Sequence, residues 1–171
     1  CCSRAGPVGR GPLIVEAMGV IGLISDTHGL VRPKVIEALK GVELILHAGD
    51  VGEGVLAELS TIAPILAVRG NTDPVDAKEL PQYQDVTRDG LRIRVTHGHE
   101  LGVPTPDELL EKYDADVVVY GHTHRKAAEQ RGSRWAVNPG AAGQRRFDAR
   151  PSVARMTIGK DRTVRIDFVE L

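Results

Sequence analysis

The chain has 171 residues, 42% of them apolar and 26% charged, the make-up of a folded domain with a core of its own and not of a disordered segment. Twenty-two Lys and Arg against 23 Asp and Glu leave a net charge of −1, which excludes a broad basic footprint for nucleic acid or a membrane surface. Any attraction for an anion must come from a local site.

Residues 1–17, CCSRAGPVGRGPLIVEA, are rich in Gly, Pro and Arg, and their one apolar run, Leu13 to Val15, is too short for a signal-peptide core or a membrane span. The expectation is a leader outside the fold, with residues 18–171 as a single domain. The only cysteines are the adjacent Cys1 and Cys2, so the body of the chain fits a reducing, cytoplasmic setting. From Met18 onward, short apolar runs alternate with helical periodicity, as in α/β domains. Strands are expected at VIGLIS (20–25), ELILHA (43–48), PILAVR (64–69), LRIRVT (91–96) and DVVVYG (116–121). Between them, PKVIEALK (33–40) should be a helix with Val35, Ile36 and Leu39 on one face, and EGVLAELS (53–60) one with Val55, Leu56 and Leu59. Thr105-Pro106-Asp107-Glu108 is a capping box opening a helix over roughly 106–113. Beyond residue 124, AAEQR and RWAVN flank Gly132-Ser133, and RPSVARMTI and RTVRIDFVEL flank Gly159-Lys160-Asp161, two hairpin patterns.

The residues just after each apolar run carry the chemistry. VIGLIS leads to Asp26-Thr27-His28, ELILHA to Gly49-Asp50, PILAVR to Gly70-Asn71-Thr72-Asp73, RIRVT to His97-Gly98-His99, DVVVY to Gly121-His122-Thr123-His124, and RWAV to Asn138-Pro139-Gly140. In open α/β sheets ligands bind beyond the carboxyl ends of the strands, where these residues would gather. In an extended segment, Asp-x-His and His-x-His place both side chains on one side, because strand side chains alternate. Glycines 49, 70, 98 and 121 would let backbone and ligand approach closely. Carboxylate, imidazole and amide oxygen suit Mn²⁺, Fe²⁺ or Zn²⁺ and do not choose among them.

The order D-x-H, G-D, G-N-x-D, H-G-H, G-H-x-H resembles the calcineurin-like metallophosphoesterases, and the short chain, the GNTD variant and the NPG turn resemble their small prokaryotic phosphodiesterases of the YfcE type. The resemblance runs from about Gly22 to Arg146. It implies a four-layer α/β/β/α sandwich of two mixed sheets flanked by helices. It also implies two divalent metal ions, with Mn²⁺ expected and Fe²⁺, Zn²⁺ or Ni²⁺ as alternatives. One ion would be held by Asp26, His28 and His124 and the other by Asn71, His97 and His122, with Asp50 bridging. The function implied is hydrolysis of a small phosphate ester, a diester foremost, by hydroxide generated at the two metals. In such centres the ions lie about 3.5–4 Å apart and clamp both attacking and non-bridging oxygens. No Ser or Cys nucleophile is then needed.

This chain departs from the family at Thr72, where many members have the His thought to protonate the leaving group; threonine cannot do so near neutral pH. Asp73, which would orient such a His, is left to bond the loop backbone. His99 is the substitute acid nearest in sequence, or else a hydrogen-bonding neighbour of the ligands. His47 reads as a core or supporting histidine. Asn138-Pro139-Gly140 reads as a type II turn that shapes the site without supplying a ligand. Arg145 and Arg146 are candidates to grip a phosphate oxygen, against plain surface charge. A phosphomonoesterase would lean on them most, having one more negative charge to neutralise. A non-catalytic protein-interaction scaffold is the alternative from another class, since the small subunit of eukaryotic retromer is similar to this family, with its metal positions degraded. No membrane or nucleic-acid partner is expected, and a homo-oligomer stays open.

Overall fold

The computed structural model describes residues 18–74, 80–145 and 149–171. The leader expected at 1–17 and the candidate Arg146 lie outside the described residues. β1 (Met18–Ile24) is buried along most of its length, as a central strand covered on both faces must be. Ile21 and Leu23 point between the sheets, while Val20 and Ile24 point to the outer helices. β2 (Leu44–His47) and β3 (Ile65–Ala67) run parallel to it, connected through α1 (Pro33–Ala38) and α2 (Val55–Leu59). Both helices are shorter than the periodicity predicts. Val35 and Leu39 are fully buried, whereas Ile36 is 41% exposed. Successive helical residues point about 100° apart, so a short α1 cannot seat Ile36 on the same face as Val35.

The second sheet begins with β4 (Tyr83–Arg88), a strand the apolar-run reading does not find. Its exposed and half-buried positions alternate, as at a sheet edge. It is defined by pairing with β5 (Leu91–Thr96) through Asp89-Gly90, with φ of 50° and 75°. β6 (Val117–Val119) is parallel to β5. β7 (Ala127–Arg131) forms the expected hairpin with β8 (Arg134–Asn138), which is itself parallel to β6. α3 (Pro106–Lys112) carries the predicted Thr105/Glu108 capping box. The terminal hairpin, β9 (Ser152–Ile158) and β10 (Val164–Glu170), returns to the first sheet, where β9 lies antiparallel to β1.

The strand orders are β10-β9-β1-β2-β3 and β4-β5-β6-β8-β7, both mixed. Ile21, Leu23, Leu46, Val95, Val119 and Met156 fill the space between the sheets. Outside the first sheet, Val35 of α1, its C-cap Leu39, and Val55 and Leu59 of α2 pack on Ile45 and Val153. Outside the second, Leu109 and Leu110 of α3 cover Val118 and Ala136. The result is the expected four-layer α/β/β/α sandwich. The strands β1, β2 and β3 are mutually parallel, as are β5, β6 and β8. Their carboxyl ends therefore deliver all six polar motifs to one rim. Among the described residues no helix is long and apolar enough to cross a membrane.

Candidate metal centre

The first sheet's loops are laddered together. Asp26 N donates to Gly49 O (3.0 Å), His28 N to Asp50 O (3.0 Å) and Gly29 N to Val51 O (2.9 Å). Thr27 Oγ1, between the two candidate ligands, donates to Val51 O at 2.7 Å. Its single proton being used there, the 2.9 Å contact with His47 Nε2 requires the imidazole N–H to be the donor. His47 is fully buried, and that burial pushes its pKa down to about 4, against the pull of Asp26 and Asp73. It is a neutral prop under the Asp26–His28 turn. Asp73 accepts from Val51 N (2.9 and 3.1 Å), Gly52 N (3.1 Å) and Gly70 N (2.9 Å), tying the Asp50 loop to the Asn71 loop.

The second sheet brings the histidines. His97 Nδ1 lies 2.7 Å from Ala48 O, so it donates there and turns Nε2 toward the site. That Nε2 is 3.0 Å from Asn71 Oδ1 and 3.4 Å from Asp50 Oδ2. His122 Nδ1 approaches the same Asn71 oxygen at 3.1 Å. His124 Nε2 lies 3.1 Å from Asp26 Oδ1, and His28 Nε2 is 3.8 Å from Asp50 Oδ2. Asp50 Oδ2 thus lies between His28 and His97. Asn138 supplies no donor to this ring. Its Nδ2 donates to Gly121 O (2.9 Å) and Thr123 Oγ1 (3.0 Å), holding the His122–His124 loop, and its Oδ1 accepts from Gly140 N (2.9 Å).

Two groups of donor atoms, Asp26/His28/His124 and Asp26/Asp50/His97, each fall within 4.8 Å of one another. His28 Nε2 and His124 Nδ1 are buried with no hydrogen-bond partner among the described residues, and Asp26 Oδ1 is buried with only the ring nitrogen of His124 against it. Orphaned polar atoms of hard and borderline donors, converging around two buried carboxylates, fit divalent cations.

The pairs converge for a different reason from the one strand alternation predicts. The segments are not extended: Asp26, His28, Asp50, His122 and His124 have φ of 53°, 48°, 53°, 67° and 57°. These left-handed residues turn the chain at each donor, which brings Asp26 and His28 into one group with His124 and sends His122 toward Asn71 and His97. Left-handed backbone is disfavoured for residues with a Cβ and collects at functional sites. Close approach is also required at two glycines. A Cβ on Gly70 would overlap the Asp50 carboxylate, and one on Gly121 would lie 2.9 Å from Asp26 Oδ2 and 3.0 Å from His97 Nδ1.

Residues 20–161 match the calcineurin-like phosphoesterase superfamily domain. The chain belongs to that family. It is 33% identical to a probable metallophosphoesterase of Methanothermobacter thermautotrophicus, covering 89% of this chain and 88% of that protein. It is 36% identical to phosphodiesterase YfcE of Escherichia coli, over 68% of this chain and 76% of that one. Among solved structures it is similar to a novel archaeal phosphodiesterase (TM-score 0.72, 27% identity, 88% of this chain and 99% of that chain). It is equally similar in fold to Vps29 of Chaetomium thermophilum (TM-score 0.72, 26% identity, 89% and 97%). Membership of this metallophosphoesterase family implies divalent metal ions, and the donor groups described above accord with that.

Within the family frame, the electrostatics sharpen the site. Burial alone would raise the Asp50 pKa, but hydrogen bonds from His97 and the Thr72 N–H (2.9 Å) hold it well below the usual carboxylate range. Burial would lower the pKa of His97, but Asp50 and Asp26 raise it above its ordinary value. A cation held here would take the place of that Nε2 proton beside the same carboxylates. Thr72 is exposed, with Oγ1 3.4 Å from His28 Nδ1, so that position offers a hydroxyl and no imidazole. His99 opens a 3-10 turn, its ring 5.4 Å from that of His97 and 6.3 Å from that of His122. Burial and the neighbouring His97 lower its pKa, and its Nδ1 is buried without a partner among the described residues. Arg145 is exposed beside a small crevice that also touches His124. The supporting bonds of Thr27 and Asn138 were not readable in the sequence, where only their adjacency to Asp, His and Gly marks them.

Proposed function

We propose that this phosphoesterase-family chain is a phosphodiesterase working through two divalent ions. Asp26, His28 and His124 would hold one, Asn71, His97 and His122 the other, and Asp50 would bridge them. The observation that carries this reading is the convergence of these seven side chains, two of which, His28 and His124, have a buried ring nitrogen with no hydrogen-bond partner among the described residues. When bound, such ions lower the pKa of a coordinated water and neutralise phosphate charge, so a protein of net charge −1 can attract an anion. Mn²⁺ is the metal we expect, with Fe²⁺, Zn²⁺ or Ni²⁺ as alternatives. The chain's own part is to hold the donors rigid. Ala48 O sets the tautomer of His97, the Thr72 N–H keeps Asp50 ionised, and Asp73 and His47 brace the loops from behind.

A diester is favoured over a monoester because it has one less negative charge to balance, and because Thr72 puts a hydroxyl where an imidazole acid would stand. Arg145, exposed beside His124, is the described residue of the two arginine candidates for a phosphate oxygen. The cysteine-free body of the chain supports a cytoplasmic setting. The likeness to Vps29 supports a second reading, a non-catalytic scaffold of the same fold. Metal content by mass spectrometry, with Mn²⁺-dependent hydrolysis of bis(p-nitrophenyl) phosphate against p-nitrophenyl phosphate, separates the two. We expect two ions per chain and faster diester hydrolysis, with Asp50→Asn losing about 100-fold or more. No hydrolysis of either ester by metal-loaded protein would leave the scaffold standing. An Asp50→Asn variant as active as the parent would refute the bridge.

A further inference from the structure

The two sides of the Gly121–His124 loop differ in charge. On the His122 side lies a cleft of about 480 Å³ lined by Val103, Pro104, Tyr120, Thr123, Ala127 and Arg125, with no carboxylate among its walls. Its floor is fixed to the metal-binding segment, for the space beside Gly98 is filled by Pro104 (3.1 Å from an added Cβ) and Tyr120 (3.9 Å). On the His124 side lies a second cleft of about 380 Å³ lined by Arg125, Lys126, Ala149, Arg150 and Glu170. Glu170 holds Lys126 Nζ at 2.7 Å and Arg150 at 3.1 Å, which fixes two cations with one carboxylate and leaves the cleft positive. Arg145 adds a further cation in the crevice adjoining His124. Such a concentration of positive charge on a chain of net charge −1 is local, not a general property of the surface.

From this asymmetry we infer that the substrate is an unsymmetrical phosphodiester, with a flat apolar arm on the His122 side and an anionic arm on the His124 side. The inference rests on the phosphodiesterase reading and names the substrate class for it. A phosphate seated among the seven donors has His122 at one flank and His124 at the other, so its two ester substituents lead into the two clefts. The apolar cleft has the size and lining for an aryl or base-sized group, with Tyr120 and Pro104 as its floor. Arg125 borders both clefts and can cover the face of the planar arm while its charge serves the anionic one. The charge of the second arm is thereby recognised without any demand on the metal ligands.

The test compares two diesters with the same leaving group on the Mn²⁺-loaded full chain: p-nitrophenyl methyl phosphate and p-nitrophenyl 2-carboxyethyl phosphate. The carboxylate arm should raise kcat/KM about tenfold at low ionic strength, and the advantage should shrink in about 0.5 M NaCl as the cleft is screened. Arg150→Ala should close most of the gap between the two esters. Ala127→Trp, which fills the apolar cleft, should raise KM about tenfold for both by removing ground-state binding, with far less effect on kcat. Equal kcat/KM for the two esters at every salt concentration, unchanged by Arg150→Ala, would overturn the two-arm assignment while leaving the phosphodiesterase reading intact. If neither ester is hydrolysed, it is the phosphodiesterase reading that falls, and the substrate class falls with it.

Discussion

Thr72 stands at the edge of the donor ring with its N–H on Asp50 and its hydroxyl toward His28 Nδ1. An imidazole there would point at the same space with a transferable proton. Thr72→His should therefore accelerate hydrolysis of diesters with poor, alkoxide leaving groups by about 100-fold. Release of p-nitrophenolate, which needs no protonation, should change little; an equal gain on both would show that the missing acid is not what limits this protein. His47 offers a second residue-scale test. Its folded pKa of about 4 lies below the ordinary 6.5, so the unfolded chain binds the extra proton between those values. The stabilising contribution is complete above pH 6.5 and is lost as pH falls towards 4, by about 3 kcal/mol. Urea melts at about pH 7 and about pH 4.5 should show a smaller drop for His47→Gln than for the parent chain, whose other acid-sensitive groups it shares. Identical drops would mean that the buried imidazole contributes nothing to acid sensitivity.

Among the elements, the loops matter more than the strands that carry them. Asp73 joins the β2 and β3 loops through the backbone N–H groups of Val51, Gly52 and Gly70. Asp73→Ala would leave those donors without their partner, at a cost of about 3 kcal/mol. Thermal melts should show the loss, with Asp73→Asn intermediate because it keeps one acceptor oxygen; a melt unchanged in Asp73→Ala would refute the clamp. The same loops decide how much was legible. Asp26, His28, Asp50, Asn71, His97, His122 and His124 stand out in the sequence as candidate donors because each comes just after an apolar run and carries a metal-competent atom, and the family resemblance divides them between two ions. α3 was legible because its cap is written in adjacent residues. β4 was not, since an edge strand with half its side chains in water has no apolar run to reveal it, and only the Asp89-Gly90 turn betrays the hairpin. Nor was the left-handed backbone at the donors legible, because Asp and His adopt it more often than most residues but still at a small minority of positions. The two clefts beside the donor ring were equally hidden, as their walls come from segments far apart in sequence.

For the molecule as a whole, the donors join two sheets that are otherwise held together by an apolar interface. Asp26 and Asp50 come from the first sheet and His97, His122 and His124 from the second, with Asp26, Asp50 and His97 buried. Ions binding this set stabilise the folded chain by mass action, about 4 kcal/mol for one site at roughly a thousandfold excess over its Kd. Chelation should then lower Tm by about 10 °C for a chain of this size. Circular-dichroism melts with and without EDTA measure it, and coincident curves would refute tight binding at the ring.

Five of the seven donors occupy backbone conformations that suit glycine and cost other residues on the order of 1 kcal/mol each. A variant library of this chain screened for heat resistance after chelation would enrich glycine at 28, 122 and 124 before 26 and 50, because Asp26 and Asp50 also accept from the backbone N–H groups of His122 and Thr72. The same library screened with metal present would keep them, because there the ions offset the strain. On the two-ion reading, thermostability and chemistry would be improved together in this chain only when the selection includes the metal.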